Sequence, residues 1–279
     1  MRPISGTLLL FLAGCGGNST AGGPSPKGRA TTPIVLTTPV SYHPLTPARY
    51  LFYRRDSVIM ILPNGSEVSQ VVGRTFLFTL SVTPAVPGTS GPARINVVVD
   101  SVSLDPDAPA TTRSLYDGLV GTRWTGNLAP TGQVSGFAAD RHSSGADLAA
   151  VDLARLLPTL PSGGAKSGAS WSDTVDAQFP IQNLQVTERF TANASASPAP
   201  ADTVGLQIET SGILARSGEN SQLALGGGGT RSVAFTIGAD GRLLSEAGAD
   251  SVVMKVTVKA VGQSVTLRQL GRFTVTLKP

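Results

Sequence analysis

Four stretches of this chain alternate apolar and polar residues one for one, and that alternation narrows the possible folds more than any other feature. Phe76, Phe78, Leu80 and Val82 point one way, while Thr75, Thr79, Ser81 and Thr83 point the other. Val252, Met254, Val256 and Val258 alternate with Lys255, Thr257 and Lys259 in the same manner. Phe273, Val275 and Leu277 alternate with Thr274, Thr276 and Lys278, and Val233, Phe235 and Ile237 make a fourth case. A period of two places successive side chains on opposite faces of a strand. One polar face per strand marks an antiparallel sheet, because parallel sheets are covered on both sides and read as continuous apolar runs.

The turns agree with this reading. Pro63-Asn64-Gly65-Ser66 divides a strand over 57–62 from one over 67–80, and Asn-Gly is a strong hairpin signal. Asp240-Gly241 plays the same part between 233–237 and 242–245. The glycine run 226–229 reads as a loose loop between strands at 221–225 and 231–237. The mixed phase of residues 95–104 predicts a bulge, or a strand covered on both faces. A single helix is expected over about 144–157. Ser143-Ser144 can cap it, Asp147 opposes the helix dipole in the first turn, and Leu148, Val151 and Leu156 form its apolar stripe. Leu153 or Leu157 extends that stripe, and Pro158 stops the helix. The expected fold is therefore mainly β: an antiparallel sheet, open half-barrel or sandwich-like, with one central helix packed on it. The body runs over 34–279, and a division into two halves near 141–168 is left open.

Composition removes several functions. Charged residues are 14% of the chain and the net charge is +4, with Arg54-Arg55 the densest basic cluster. A nucleic-acid surface needs a concentrated basic face, so no nucleic-acid partner is expected. Cys15 is the only cysteine, which excludes an internal disulfide and a cysteine-rich zinc site. No cofactor and no metal are expected.

The N-terminus carries an address. Arg2 precedes an apolar stretch whose centre is Leu8-Leu9-Leu10-Phe11-Leu12, too short to span a bilayer and fitting a secretory signal. It ends in Leu12-Ala13-Gly14-Cys15, which resembles the lipobox of bacterial lipoproteins. The resemblance implies a diacylglyceryl group on the Cys15 thiol, cleavage before Cys15 and acylation of the new amino group. Residues 1–14 are then the signal peptide. Residues 15–33, rich in Gly, Pro and Ser, form a flexible tether. The partner so implied is a membrane, reached through the N-terminal lipid anchor. Gly16 in place of Asp leans towards the outer membrane, facing the periplasm or the exterior.

Catalytic patterns are sparse. His43 stands in a proline-rich segment and His142 just before the helix, without a Gly-x-Ser-x-Gly elbow. Ser162 and Lys166 are one residue too far apart for Ser-x-x-Lys, and His-Glu-x-x-His does not occur. Residues 163–167 lack the core of a phosphate loop. Asp105-Pro106-Asp107 reads as a solvated turn. Asp173, Asp176, Asp202 and Glu209 are carboxylates that only a fold can pair. Leu156-Leu157-Pro158 followed by Gly168-Ala169-Ser170-Trp171-Ser172-Asp173 resembles an arrangement in secreted, strand-rich bacterial envelope proteins of half-barrel form. Such a body is similar to the open half-barrels of periplasmic lipoprotein carriers. Trp124 and Trp171 are the candidates for lining a ligand cavity, against the commoner role of a large aromatic as core. The expectation is a non-enzymatic, lipid-anchored envelope protein that binds a lipid or other hydrophobic ligand. The alternative is a structural module that contacts other envelope proteins, with an extracytoplasmic hydrolase ranked third.

Overall fold

The alternating segments become eleven strands in one sheet. A computed structural model describes residues 36, 38–42, 45–84, 92–181, 184–200 and 203–279. The signal, Cys15, the tether and His43 lie outside the described residues. In chain order the elements are β1 (Leu45–Ile61), β2 (Glu67–Thr83), β3 (Ala93–Leu104), α1 (Ala110–Tyr116), β4 (Arg123–Leu128) and β5 (Val134–Ala139). They continue with α2 (Ser144–Leu153), β6 (Ser170–Ile181), β7 (Leu184–Pro198), β8 (Gly205–Glu219), β9 (Leu223–Gly238), β10 (Leu243–Val258) and β11 (Gln263–Lys278).

The strand order is β5-β4-β3-β2-β1-β11-β10-β9-β8-β7-β6, and every pairing is antiparallel. The chain starts at the centre and meanders out to the β5 edge. It then crosses to the opposite edge at β6 and meanders back, so that β11 lies beside β1. The two edges β5 and β6 are not paired with each other, so the sheet stays open instead of closing into a barrel or stacking as a sandwich. Residues Thr32–Pro279 form one compact unit.

Helix α2 lies on the crossover and touches both edge strands. Its start matches the sequence: the Ser143 side chain accepts a hydrogen bond from the Ala146 amide at 3.0 Å, and Asp147 sits in the first turn. Its end does not. The helix stops at Leu153, and Leu156 and Leu157 are buried from an irregular segment beyond it. Burial of those leucines does not require helical backbone. That segment is pinned from the N-terminal side, where Val40 and Ala165 exchange backbone hydrogen bonds of 2.7 and 3.0 Å and the Tyr42 hydroxyl donates to the Pro158 carbonyl at 2.8 Å. The short helix α1, begun at Pro109, has no counterpart in the sequence reading; Thr111, Thr112 and Ser114 are weak helix formers.

The hairpin turns are where the sequence places them. Gly65 and Gly241 adopt φ of +82° and +77°, which glycine takes without a Cβ clash. The bulge is also there, as a register shift that leaves Asp100 extra opposite Leu77 and Phe78. The glycine run 226–229 is a correction: it is no loop but the interior of β9, paired with β10 on one side and β8 on the other. A Cβ on Gly227 or Gly229 would come within 2.2 or 1.8 Å of the Val253 and Ser251 carbonyl oxygens. The strand runs so close to β10 that only hydrogen fits there, and that close approach offsets the entropy glycine loses in a strand.

Buried side chains divide into two clusters on the inner face. The larger holds Tyr50, Phe52, Phe76, Phe78, Ile95, Val97, Trp124, Leu153, Leu206, Ile208, Phe235 and Val275. The smaller holds Leu184, Val186, Leu214, Leu225, Val252 and Met254. The seam between them is polar.

Candidate functional site

The seam follows from the register. One row of directly opposed residues reads Asp173, Ala192, Gly212, Arg231, Asp250, Gly271 and Asp56 from β6 to β1. The adjoining row on the same face reads Trp171, Ala194, Thr210, Val233, Gly248, Phe273, Arg54 and Arg74, ending on β2. Charged residues thus occupy inward positions that the rest of each strand fills with apolar ones. Glycines beside them make room for long guanidinium side chains. A Cβ on Gly271 would stand 2.5 Å from Arg54 Nη2 and 2.6 Å from Asp250 Oδ1.

On the β1 side, Arg54 is 6% exposed and donates to Asp56 through Nε at 3.0 Å and to Asp250 through Nη2 at 2.9 Å. Arg74 donates to Asp56 at 2.6 Å and to Asp152 at 2.7 Å. Asp152 belongs to α2 and also faces Arg54 at 3.6 Å, so this cluster fastens the helix to the sheet. Burial alone would raise the Asp56 carboxyl, but Arg54 and Arg74 overcome it and hold that group at about 2. Three carboxylates here face two guanidiniums.

On the β7 side the balance is reversed. Glu188 is 1% exposed and accepts from Arg155 at 2.7 Å and from Arg216 at 2.6 Å. The charge of Arg231 is felt by both Glu188 and Arg155, and its guanidinium lies 4.9 Å from the Phe273 ring centre, a cation–π contact. Among the described residues no carboxylate comes within ion-pair distance of Arg231. Burial pushes the Arg155 guanidinium down to about 10; Glu188 opposes this, and the charges of Arg231 and Arg216 add to it. Glu246 lies next to Val275 and Phe235 in register, 3% exposed. Burial pushes its carboxyl up to about 8 against the pull of Arg231, so it is largely uncharged at neutral pH.

Beside this positive half lies a cavity of about 410 Å³. Its roof is the crossover, from Ala150 to Thr159, together with β5 around Phe137, and its floor is β6 to β9. Ala192, Ala194 and the neighbouring Gly212 supply the space, because a methyl group or a hydrogen stands where other rows carry Phe190 or Leu214. The walls are Phe137, Val151, Leu157, Trp171, Phe190 and Phe235, with Arg155, Glu188 and Arg231 at the polar side. The volume falls within the roughly 300–1,000 Å³ of small-molecule sites.

The two tryptophans separate. Trp171 lines the cavity, and its indole N–H donates to the Thr159 carbonyl at 3.1 Å, tying β6 to the roof. Trp124 is fully buried core under α2, donating to the Ala146 carbonyl at 3.3 Å, and lines no part of the cavity. The carboxylates are not brought together. Asp173 faces the cavity with Oδ2 unpartnered, whereas Asp176 points out one pleat later and pairs with Arg189 at 2.8 Å. Glu209 is exposed on β8 beside Gln207, and Asp202 lies outside the described residues. His142 is exposed ahead of α2. The carbonyls of Asp105 and Pro106 accept from Arg113.

The charged seam is what sequence reasoning missed. Its signal was a charge standing in the apolar phase: Arg54 and Asp56 follow Tyr50 and Phe52, Arg231 precedes Val233 and Phe235, and Glu246 and Asp250 precede Val252 and Met254.

No family model matches the chain, and no curated protein matches it. Among solved structures, the chain is similar to a LolA superfamily protein from Nitrosomonas europaea at 11% identity, over 78% of this chain and 83% of that one, with a TM-score of 0.13.

Proposed function

We propose that this is a lipid-anchored protein of the bacterial cell envelope, non-enzymatic, which holds a lipid or other hydrophobic ligand between its sheet and its crossover. The observation that carries this reading is the cavity of about 410 Å³ walled by Phe137, Val151, Leu157, Trp171, Phe190 and Phe235. An apolar pocket with few polar groups is the common form of a small-ligand site.

Native mass spectrometry tests it. Residues 34–279, which lie within the compact unit, are to be produced in a bacterial periplasm and sprayed without detergent. Co-purifying lipid at one per chain is expected. Ligand-free protein that takes up no lipid on incubation overturns the carrier reading. That outcome would favour the second reading, an interaction module for other envelope proteins, which draws on Ile213, Val253 and Leu270. These stand 67%, 49% and 56% exposed on β8, β10 and β11, on the face away from the cavity.

The anchor is a separate part of the proposal and rests on Leu12-Ala13-Gly14-Cys15. Stable attachment takes more than one acyl chain, each buried methylene being worth about 0.8 kcal/mol. Cells fed radioactive palmitate should label the wild-type chain and leave the Cys15→Ala chain unlabelled. A Cys15→Ala chain that still labels removes the anchor, and with it the outer-membrane placement.

A further inference from the structure

We propose that the ligand of this cavity is a single-chain anionic amphiphile, its tail against the apolar wall and its negative head on the Arg231 guanidinium. The inference rests on the reading of the cavity as a hydrophobic-ligand site and adds the charge and the number of chains.

The charge follows from how the seam is divided. The three carboxylates and two guanidiniums of the β1 side are bonded to one another, and Asp152 keeps them under α2, away from the cavity. The β7 side sets Arg155, Arg216 and Arg231 around one carboxylate, Glu188, whose two oxygens are taken by Arg155 and Arg216. Arg231 is the guanidinium left over. It lines the cavity and rests on the face of Phe273, the acid opposite it in register, Asp250, has both oxygens bonded to Arg54, and burial keeps Glu246 largely uncharged. A half-buried cation short of a counter-ion, at the polar end of an apolar cavity, is matched by an anion that brings its own apolar body. A carboxylate or phosphate head also forms charge-assisted hydrogen bonds to the guanidinium fork. A neutral ligand leaves Arg231 as it is, and a cationic one sets a further like charge beside Arg231, Arg155 and Arg216.

Asp173, an acid of the lining on the opposite side from Arg231, does not compete for the head. It opposes Arg231 in the same row across Ala192 and Gly212, three strand spacings or about 14 Å along a flat sheet. Its free Oδ2 can accept a hydroxyl from the far end of a ligand. The number of chains follows from size. A volume of about 410 Å³ lies near the lower end of the range for ligand sites, which suits one acyl chain and not a bundle of two or three.

The test is a head-group series at constant chain length. The full-length chain is made by cell-free synthesis without membranes, so that it carries no attached or bound lipid, and is titrated calorimetrically with palmitate, 1-hexadecanol and hexadecyltrimethylammonium. Tryptophan fluorescence serves as a second readout, Trp171 being the one of the two tryptophans that lines the cavity. Palmitate is expected to bind one per chain, about ten-fold or more tighter than hexadecanol, with the ammonium weakest. Arg231→Met should abolish the preference for palmitate over hexadecanol, while Arg231→Lys restores part of it. 1-Palmitoyl-lysophosphatidate is the further arm. Tighter binding than palmitate assigns the head to a phospholipid fragment, and weaker binding assigns it to a free fatty acid.

Equal affinity for palmitate and hexadecanol overturns the anionic head and leaves the carrier reading standing. Binding of none of the probes overturns both. A preference for palmitate over hexadecanol that survives Arg231→Met overturns the role of Arg231. The comparison of head groups on the wild-type chain decides the matter even where the variant does not fold.

Discussion

Glu246→Gln should stabilise the protein at pH 8 by about 4 kcal/mol and leave its stability nearly unchanged at pH 4. The folded chain holds this carboxyl at about 8, against an ordinary value of 4.5, because burial at 3% exposure penalises the charge. A group with a raised folded pKa binds its proton more tightly in the folded state. Its contribution is complete below 4.5 and drains away as pH rises towards 8. A tenfold difference in proton affinity between the folded and unfolded chain corresponds to about 1.4 kcal/mol, so the loss over this interval is several kcal/mol. Glutamine has nearly the same shape and never ionises, so the variant escapes the loss. Urea titrations of both proteins at pH 4, 6 and 8 measure it. Parallel stabilities across the range would mean that Glu246 ionises freely in the folded protein.

Arg54→Met should be the most damaging single exchange in the seam, costing about 3–5 kcal/mol at neutral pH. Methionine keeps much of the apolar stem but removes the donors to Asp56 and Asp250, which are 7% and 5% exposed. Two buried carboxylates then lose their main partner, and Asp152 keeps only Arg74. The sign with pH is opposite to that of Glu246. Asp56 has a lowered folded pKa, about 2 against 3.8, so its stabilisation is present above 3.8 and lost as pH falls towards 2. The difference between wild type and Arg54→Met should therefore narrow below pH 4. Thermal melts at pH 7 and pH 3 check this, with a drop of roughly 10 °C expected at pH 7 for a body of this size. A variant that melts with the wild type at pH 7 would show that the seam adds nothing net to stability.

Glu246 and Arg54 are residues that a reading for apolar periodicity skips over. The strands themselves were legible, because Phe76 to Val82 and Phe273 to Leu277 alternate cleanly and bury the phase they announce. The hairpins at Gly65 and Gly241 were legible because their glycines answer a backbone need that is local. The glycine run in β9 was misread because its reason is not local. Nothing in residues 226–229 tells that the backbone of β10 passes within reach of Gly229. Trp171 at the cavity could be named, but not separated from Trp124 in the core, since both sit in similar strand contexts and differ only in what the crossover covers. The seam needed cross-strand register. Arg54 finds its meaning in Asp250, far along the chain, and Glu188 finds its meaning in Arg155 and Arg216.

The strand order has a consequence for how the molecule comes together. The strands β1 and β11, which open and close the body, are neighbours at the middle of the sheet. Within β1 to β5, and again within β6 to β11, the strands can zip up as successive neighbours, but this central seam joins contacts at the greatest separation along the body. Such contacts form slowly, since the entropy of a long closure is spent before any bonds reward it. Until β11 is available, β1 and β10 each present an unpaired edge at what will be the heart of the sheet. Folding is thus withheld until the last strand arrives. The period before seam closure is when the chain most needs shielding from its own kind.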